Sequence, residues 1–193
     1  MRFKVTGKLI LELILFFHVL LAIYDLRFLI LPWGYITIKL WTLYTKPLGG
    51  QWVPAKIEKV RKMLEMADIK SGEVLYDLGS GDGRIVIEAA RSHKVRAVGI
   101  EIDPVRVLIS QIRLKMNNLE KNAEVRYGNI FNTSLKDADV VTMYLLPKTV
   151  NELKLKFKRE LKSGSRIVSL QFPFTNWKPF RIDKENGIFV YKL

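Results

Sequence analysis

The residues best suited to chemistry lie in a glycine-rich stretch that contains two carboxylates. Residues 77–83 read Asp-Leu-Gly-Ser-Gly-Asp-Gly and follow a short apolar run. Glycines let the backbone turn sharply and let a ligand approach it closely. The third glycine falls one position too early for the dinucleotide fingerprint G-x-G-x-x-G, and Asp77 and Asp82 would repel a pyrophosphate. The stretch therefore favours a ligand that carries positive charge.

A further acid, Glu101, follows about twenty residues after this turn and ends a second apolar run. An acid at that place accepts hydrogen bonds from both ribose hydroxyls of an adenosine. S-adenosylmethionine (SAM) combines an adenosine with an ammonium and a sulfonium, which tolerate nearby carboxylates. The sequence therefore predicts a SAM site formed by Asp77, Gly79, Ser80, Gly81, Gly83 and Glu101.

The elements that must position these residues alternate between strands and helices. Apolar runs predict strands at 74–78, 95–100, 124–127, 140–145 and 166–171. Helical spacing predicts helices at 54–67, 83–92, 104–119 and 149–161. The tail, 180–192, is typical of a β-hairpin around an Asn-Gly turn. We therefore expect an α/β fold in which helices cover both faces of a mostly parallel sheet, with the ligand at the carboxyl ends of its strands.

The stretches 77–84 and 99–103 resemble motif I and its successor in Class I SAM-dependent methyltransferases, which implies a Rossmann-like sheet. Three other stretches resemble a narrower group: Trp-Val-Pro at 52–54 before a helix, Tyr-Leu-Leu-Pro at 144–147 and Arg-Ile-Val-Ser at 166–169. This group is the small protein-lysine methyltransferases. It comprises a broad-specificity archaeal enzyme and the membrane-anchored mitochondrial family that modifies lysines of ATP synthase and of the adenine nucleotide carrier. The resemblance covers roughly residues 51–178.

The resemblance implies a protein-lysine N-methyltransferase whose catalytic domain spans 51–193. Tyr144 stands where superfamily members place residues that handle the substrate, although it could equally be a packing aromatic. Trp52, Pro54 and Pro147 would line the substrate cleft. Asn129 replaces an Asp that often accepts a hydrogen bond from the adenine amino group, and the Asn side-chain oxygen can accept the same bond.

Two other functions remain open. The net charge of +13 suggests an RNA methyltransferase, yet the sequence shows no dedicated RNA-binding module. The chain could also be a SAM-binding membrane protein without catalysis. The absence of cysteine excludes disulfides, thiolate catalysis and Cys-type zinc sites, and with two histidines we expect no metal site. The sequence does not indicate an oligomeric state.

Residues 1–46 form a hydrophobic segment that we expect to be helical and to anchor the protein in a membrane. The apolar runs 9–24 and 28–44 are separated by Asp25-Leu26-Arg27, and each is a little short of the ~20 residues that span a bilayer. A single tilted span, a hairpin and an interfacial helix pair remain possible, as does a helix buried against the domain. Basic residues flank both ends of the segment, and the positive-inside rule then favours a hairpin that turns at Asp25–Arg27. The catalytic domain would face the cytosol, or the matrix of an organelle.

Overall fold

The computed structural model describes Ile14 and residues 53–193 of the chain. The membrane segment expected at 1–46 lies outside the described residues except for Ile14, and Trp52 also lies outside them. Within the described part, no helix is both long enough and apolar enough to cross a bilayer.

The helices and strands alternate as predicted. Their bounds are α1 Ile57–Met66, β1 Val74–Leu78, α2 Arg84–His93, β2 Arg96–Glu101, α3 Pro104–Met116, β3 Ala123–Tyr127, β4 Val140–Met143, α4 Pro147–Glu160, β5 Arg166–Leu170, β6 Arg181–Asp183 and β7 Ile188–Lys192. The largest differences from the predicted bounds are at the start of α1, which is 57 rather than 54, and at the end of α3, which is 116 rather than 119.

The seven strands form one sheet in the order β3-β2-β1-β4-β5-β7-β6. Strands β1 to β5 are parallel, and β7 runs antiparallel to both β5 and β6. The predicted mostly parallel sheet with a C-terminal hairpin is confirmed. Strand β1 lies between β2 and β4, so the direction of the crossovers reverses there. In open α/β sheets, ligands bind at the carboxyl ends of the strands beside such a point.

The core has two parts, one on each face of the sheet. Successive strand residues point to opposite faces, so Leu75 joins one part and Tyr76 the other. Helices α1, α2 and α3 contribute to the first part. Helix α4 contributes to the second through Val150, Leu153 and Phe157. Helices α3 and α4 therefore lie on opposite faces of the sheet.

Helix α3 begins directly after β2, and its start is fixed by local sequence. The Asp103 carboxylate accepts a hydrogen bond from the Val105 backbone N–H at 2.9 Å, which satisfies a donor that the helix leaves free. Pro104 occupies the first turn, where the lack of an N–H costs nothing. The start of α3 is thereby fixed three residues after Glu101.

Replacing Phe157 with Ala should destabilise the domain by about 3–5 kcal/mol, because the fully buried ring leaves a cavity beside Phe174. The matched control is Leu155→Ala on the exposed side of the same helix, which should change stability by no more than about 0.5 kcal/mol. Urea-induced unfolding of the full chain in detergent micelles, followed by circular dichroism, measures both. Equal losses in the two variants would contradict the described packing of α4.

Candidate active site

The glycine-rich turn connects β1 to α2 at the carboxyl edge of the sheet. Gly79, Gly81 and Gly83 have φ values of 75°, 56° and 76°, which residues with a side chain rarely adopt. A Cβ on Gly79 would also lie 2.8 Å from a methyl carbon of Leu145. The N–H groups of Gly79 and Ser80 donate to the Ile100 carbonyl at 2.9 and 3.1 Å, so the turn is bonded to β2.

Glu101 ties the same turn to the end of β2. Its buried carboxylate accepts the Gly81 N–H on Oε2 at 2.7 Å and the N–H groups of Ile102 and Asp103 on Oε1, both at 2.9 Å. A carboxylate has about four acceptor positions, so these bonds leave about one for a ligand. The expected acceptance of both ribose hydroxyls therefore requires that one backbone bond be shared or released.

Helix α3 holds the turn from its other side. The Ser110 hydroxyl donates to the Gly81 carbonyl at 2.9 Å, and Arg113 donates to the Asp82 carbonyl at 2.8 Å. The Asp82 carboxylate pairs with Arg113 at 2.5 Å and with Arg84 at 2.7 Å. Burial opposes ionisation of Asp82, but these arginines outweigh it and lower its pKa. The charge of Asp82 is thus paired with two arginines, and its repulsion of a pyrophosphate stays a prediction.

Among the described residues, the Asp77 carboxylate has neither a cation nor a backbone N–H as a partner. It is 1% exposed, and its Oδ1 accepts a hydrogen bond from the Thr142 hydroxyl at 2.9 Å. Its Oδ2 has no hydrogen-bond partner among the described residues. Burial raises the pKa of Asp77 to about 7; the Thr142 bond opposes this rise, and the charges of Glu101 and Asp82 add to it. A buried acceptor without a partner is costly, so this site fits a cationic donor such as the ammonium of SAM.

Ser80 shapes the turn through packing. Its hydroxyl lies over β2, where a Cβ on Gly99 would approach it to 2.7 Å. The Ser80 hydroxyl is buried and has no partner within the described residues. Gly99 is therefore required for the close contact between the turn and β2, and a contact between Ser80 and a cofactor stays a prediction.

The other predicted site residues lie at the ends of β3 and β4 and before α1. Asn129 is exposed after β3, and its Oδ1 accepts the Phe131 N–H at 2.9 Å, which leaves one lone pair for another donor. Tyr144 is half-buried against the core on the α1–α3 face. Pro147 is exposed at the first turn of α4, and Pro54 is exposed before α1. Hydrogen bonds join Glu101 to the glycine turn, and none is described that joins Tyr144, Pro54 or Pro147 to it.

Sequence reasoning missed the residues that support the site from a distance. Thr142 is a buried polar residue in the otherwise apolar strand β4, and this contrast was the available signal. Ser110 and Arg113 lie three residues apart on α3, so they share a side of the helix. Their contacts with the turn could not be predicted from residue spacing, because the sequence pattern does not show how α3 packs against the turn.

Comparisons with known proteins agree with this geometry. The family model described as the ANTKMT methyltransferase domain matches residues 77–181. A protein-lysine N-methyltransferase of Saccharolobus islandicus (strain REY15A) is 40% identical over 138 residues, which cover 70% of this chain and 86% of the relative. An ATP synthase lysine N-methyltransferase of Xenopus laevis is 32% identical over 144 residues, or 74% of this chain and 63% of the relative.

A solved structure described as an RNA methyltransferase from Salinibacter ruber, in complex with S-adenosyl-L-homocysteine, is 41% identical and has a TM-score of 0.71. The match covers 72% of this chain and 93% of the Salinibacter ruber chain. A SAM-dependent methyltransferase from Geobacter sulfurreducens, at 20% identity and a TM-score of 0.57, shares the fold.

The fold and the glycine-turn site define a SAM-dependent methyltransferase. The chain belongs to the ANTKMT methyltransferase family. It spans less than two thirds of the length of the vertebrate ATP synthase lysine N-methyltransferases that it matches.

Asp77 should make the domain less stable as the pH rises from 5 to 8. The folded-state pKa of Asp77 is about 7 and the ordinary value is 3.8, so folding favours the protonated acid and stability falls as the pH rises between these values. Linkage gives a loss of about 2–3 kcal/mol from this group over that range. Asp77→Asn should abolish this component, as measured by urea-induced unfolding of the SAM-free chain at both pH values.

The control for this measurement is Asp183→Asn. Hydrogen bonds from Asn186 lower the pKa of Asp183, and Asp183 is not among the charges that act on Asp77, so the slope between pH 5 and pH 8 should match that of the wild type. If Asp77→Asn also kept the wild-type slope, the buried carboxyl would not titrate in this range.

Proposed function

We propose that this methyltransferase is a protein-lysine N-methyltransferase. Its SAM site consists of Asp77, Gly79, Ser80, Gly81, Gly83, Glu101 and Asn129. The observation that carries the site is a buried Asp77 oxygen, at the base of the glycine turn, that has no hydrogen-bond partner among the described residues. The observation that supports lysine as the substrate is the 40% identity to an archaeal protein-lysine N-methyltransferase.

Each proposed group has a separate task in binding. SAM supplies an electrophilic methyl group on a sulfonium. Asp77 binds the ammonium of the methionine part, and its burial strengthens the attraction because little water screens it. Glu101 accepts from the ribose through its remaining lone pair, and Asn129 accepts from the adenine amino group. The glycine turn allows the backbone to lie close to the ligand.

The acceptor lysine would enter where β4 ends. Residues Leu146 and Pro147 are exposed there, so a protruding side chain can reach the carboxyl edge of the sheet. A lysine must lose a proton before it can act as a nucleophile. We propose that the Tyr144 hydroxyl and nearby backbone carbonyls orient the neutral amine, with Trp52, Pro54 and Pro147 lining the cleft.

RNA methylation is the second candidate, because two observations favour it. The Salinibacter ruber structure, described as an RNA methyltransferase, is 41% identical. Residues 50–193 contain 26 Lys and Arg against 17 Asp and Glu, a difference of 26 − 17 = +9, which would attract a polyanion. A chain that binds SAM without transferring its methyl group is the third candidate.

We also propose that residues 1–46 hold the protein at a membrane, with the catalytic domain on the side that contains SAM. The two apolar runs support this assignment, and basic residues at both ends of the segment support a hairpin. Sedimentation of the full chain with lipid vesicles tests the association. Recovery of the chain in the supernatant would contradict it.

Glu101→Ala should weaken SAM binding by about 2–4 kcal/mol, because it removes a charged acceptor and the bonds that this carboxylate accepts from the N–H groups of Gly81 in the turn and of Ile102 and Asp103 after β2. Titration calorimetry of the full chain measures the affinity. The matched control is Glu124→Ala, which removes an exposed carboxylate of β3 paired with Arg96 and Arg126, and it should bind SAM as the wild type does. Unchanged affinity in Glu101→Ala would remove Glu101 from the site.

The substrate class is tested by incubating the full chain with methyl-labelled SAM and separate protein and RNA fractions. We expect label in protein that resists ribonuclease, and methylated lysine after acid hydrolysis. Asp77→Asn is the control and should transfer no label. Label confined to RNA would establish the second candidate. SAM binding without label in either fraction would establish the third.

A further inference from the structure

Helix α3 carries an apolar stripe on its outer side. Five exposed residues, Val105, Leu108, Ile109, Ile112 and Met116, are spaced three or four apart, so they fall on one side of the helix. Leu108 is 57% exposed, Ile112 50% and Met116 77%. The opposite side of the helix packs on the sheet through Val107, Ser110 and Leu114. Helix α3 therefore has two apolar sides, one buried in the domain and one exposed.

The charged side chains beside the stripe are basic, and two of them are paired with acids of the same domain, Arg106 with Asp103 at 3.3 Å and Arg113 with Asp82 at 2.5 Å. Residues 104–116 include Arg106, Arg113 and Lys115 but contain no Asp or Glu. Helical spacing places both arginines along one border of the stripe and Lys115 along the other. Arg91 of α2 reaches the end of the helix, where its guanidinium donates to the Asn117 side chain. No ion pair is described for Lys115 within the described residues, so the partner of this surface is apolar at its centre and anionic or neutral beside Lys115.

The size of the stripe favours a lipid surface over a second copy of the chain. Thirteen helical residues extend about 20 Å at ~1.5 Å per residue, and one side of a helix about 10 Å wide offers roughly 200 Å². A stable protein interface buries about 800 Å² on each partner. An interfacial helix inserts an apolar side about 5–10 Å into the bilayer, for which one stripe suffices.

We propose that α3 is a membrane-contact surface that lies in the headgroup region of an anionic bilayer, with the stripe toward the acyl chains. This inference rests on the proposed membrane association and is independent of the lysine substrate. It is a second contact, separate from residues 1–46, and it sets the orientation of the domain.

That orientation brings the SAM site close to the bilayer. Helix α3 starts three residues after Glu101, and its Ser110 and Arg113 hold the turn. Helix α4 lies on the other face of the sheet and points away from the lipid. Acceptor side chains near a membrane surface would thus be favoured over those of soluble proteins.

The test uses single cysteines, since the chain contains none of its own. Leu108→Cys reports on the stripe. Leu155→Cys is the matched control, because Leu155 is an exposed leucine of α4, 68% accessible. Each full-length variant is labelled with a polarity-sensitive fluorophore and bound to vesicles of phosphatidylcholine and phosphatidylglycerol. Unchanged SAM affinity in both variants shows that the label leaves the domain folded.

We expect the label at 108 to shift to shorter wavelength, to be quenched by lipid-borne quenchers and to be several-fold less accessible to iodide than the label at 155. If iodide reached the labels at 108 and 155 equally on a chain that still sediments with vesicles, the role of α3 would be overturned. The proposed membrane association of residues 1–46 would be unaffected. A chain that stays in the supernatant would overturn both. Protection at 108 that grows with protein concentration in the absence of lipid would assign the stripe to a second copy and overturn the proposal.

Discussion

The buried carboxylate of Glu101 accepts three backbone hydrogen bonds: the one from Gly81 connects the glycine turn to the end of β2, and those from Ile102 and Asp103 hold the segment that leads into α3. The three positive-φ positions of the turn are glycines, which contribute no side chains to its packing. Bonds to an ionised acceptor are stronger than those between neutral groups, so Glu101 can hold this part of the backbone. The same bonds orient the start of α3, because two of them involve the N–H groups of Ile102 and Asp103.

Three carboxylates surround this turn, and their surroundings give them different tasks. Asp82 is neutralised by two arginines and contributes to structure. Glu101 is saturated with backbone donors except for about one lone pair. One oxygen of Asp77 accepts a hydrogen bond from Thr142 and the other has no partner among the described residues, so Asp77 gains most from a cationic ligand. Residue type alone therefore does not identify the cofactor-binding acid. The number of acceptor positions on each carboxylate that are already occupied does.

The alternation of strands and helices was predictable because each element carries its own periodicity, and the ligand edge follows from strand direction. The residues at which helices and strands begin and end depend on contacts that the periodicity of the sequence does not predict. Helix α3 ends before Leu119 because Asn118 adopts φ 55°, although Leu119 still packs on the core as the apolar pattern suggested. Helix α1 starts at Ile57 because the preceding segment is extended, with the Ala55 carbonyl accepting from Arg84. The neutralisation of Asp82 likewise depends on Arg113, thirty-one positions away in sequence.

Helix α3 combines two constraints on opposite sides. Its inner side is fixed, since Ser110 and Arg113 each bond to the glycine turn and a shift of one turn would break both contacts. Its outer side makes no such bonds through Leu108 or Ile112 and is free to meet a partner. A partner can alter the site only if it binds one arrangement of the helix more tightly than another. Because the inner bonds hold a single arrangement, contact on the outer side orients the domain and leaves the geometry of the cofactor site unchanged.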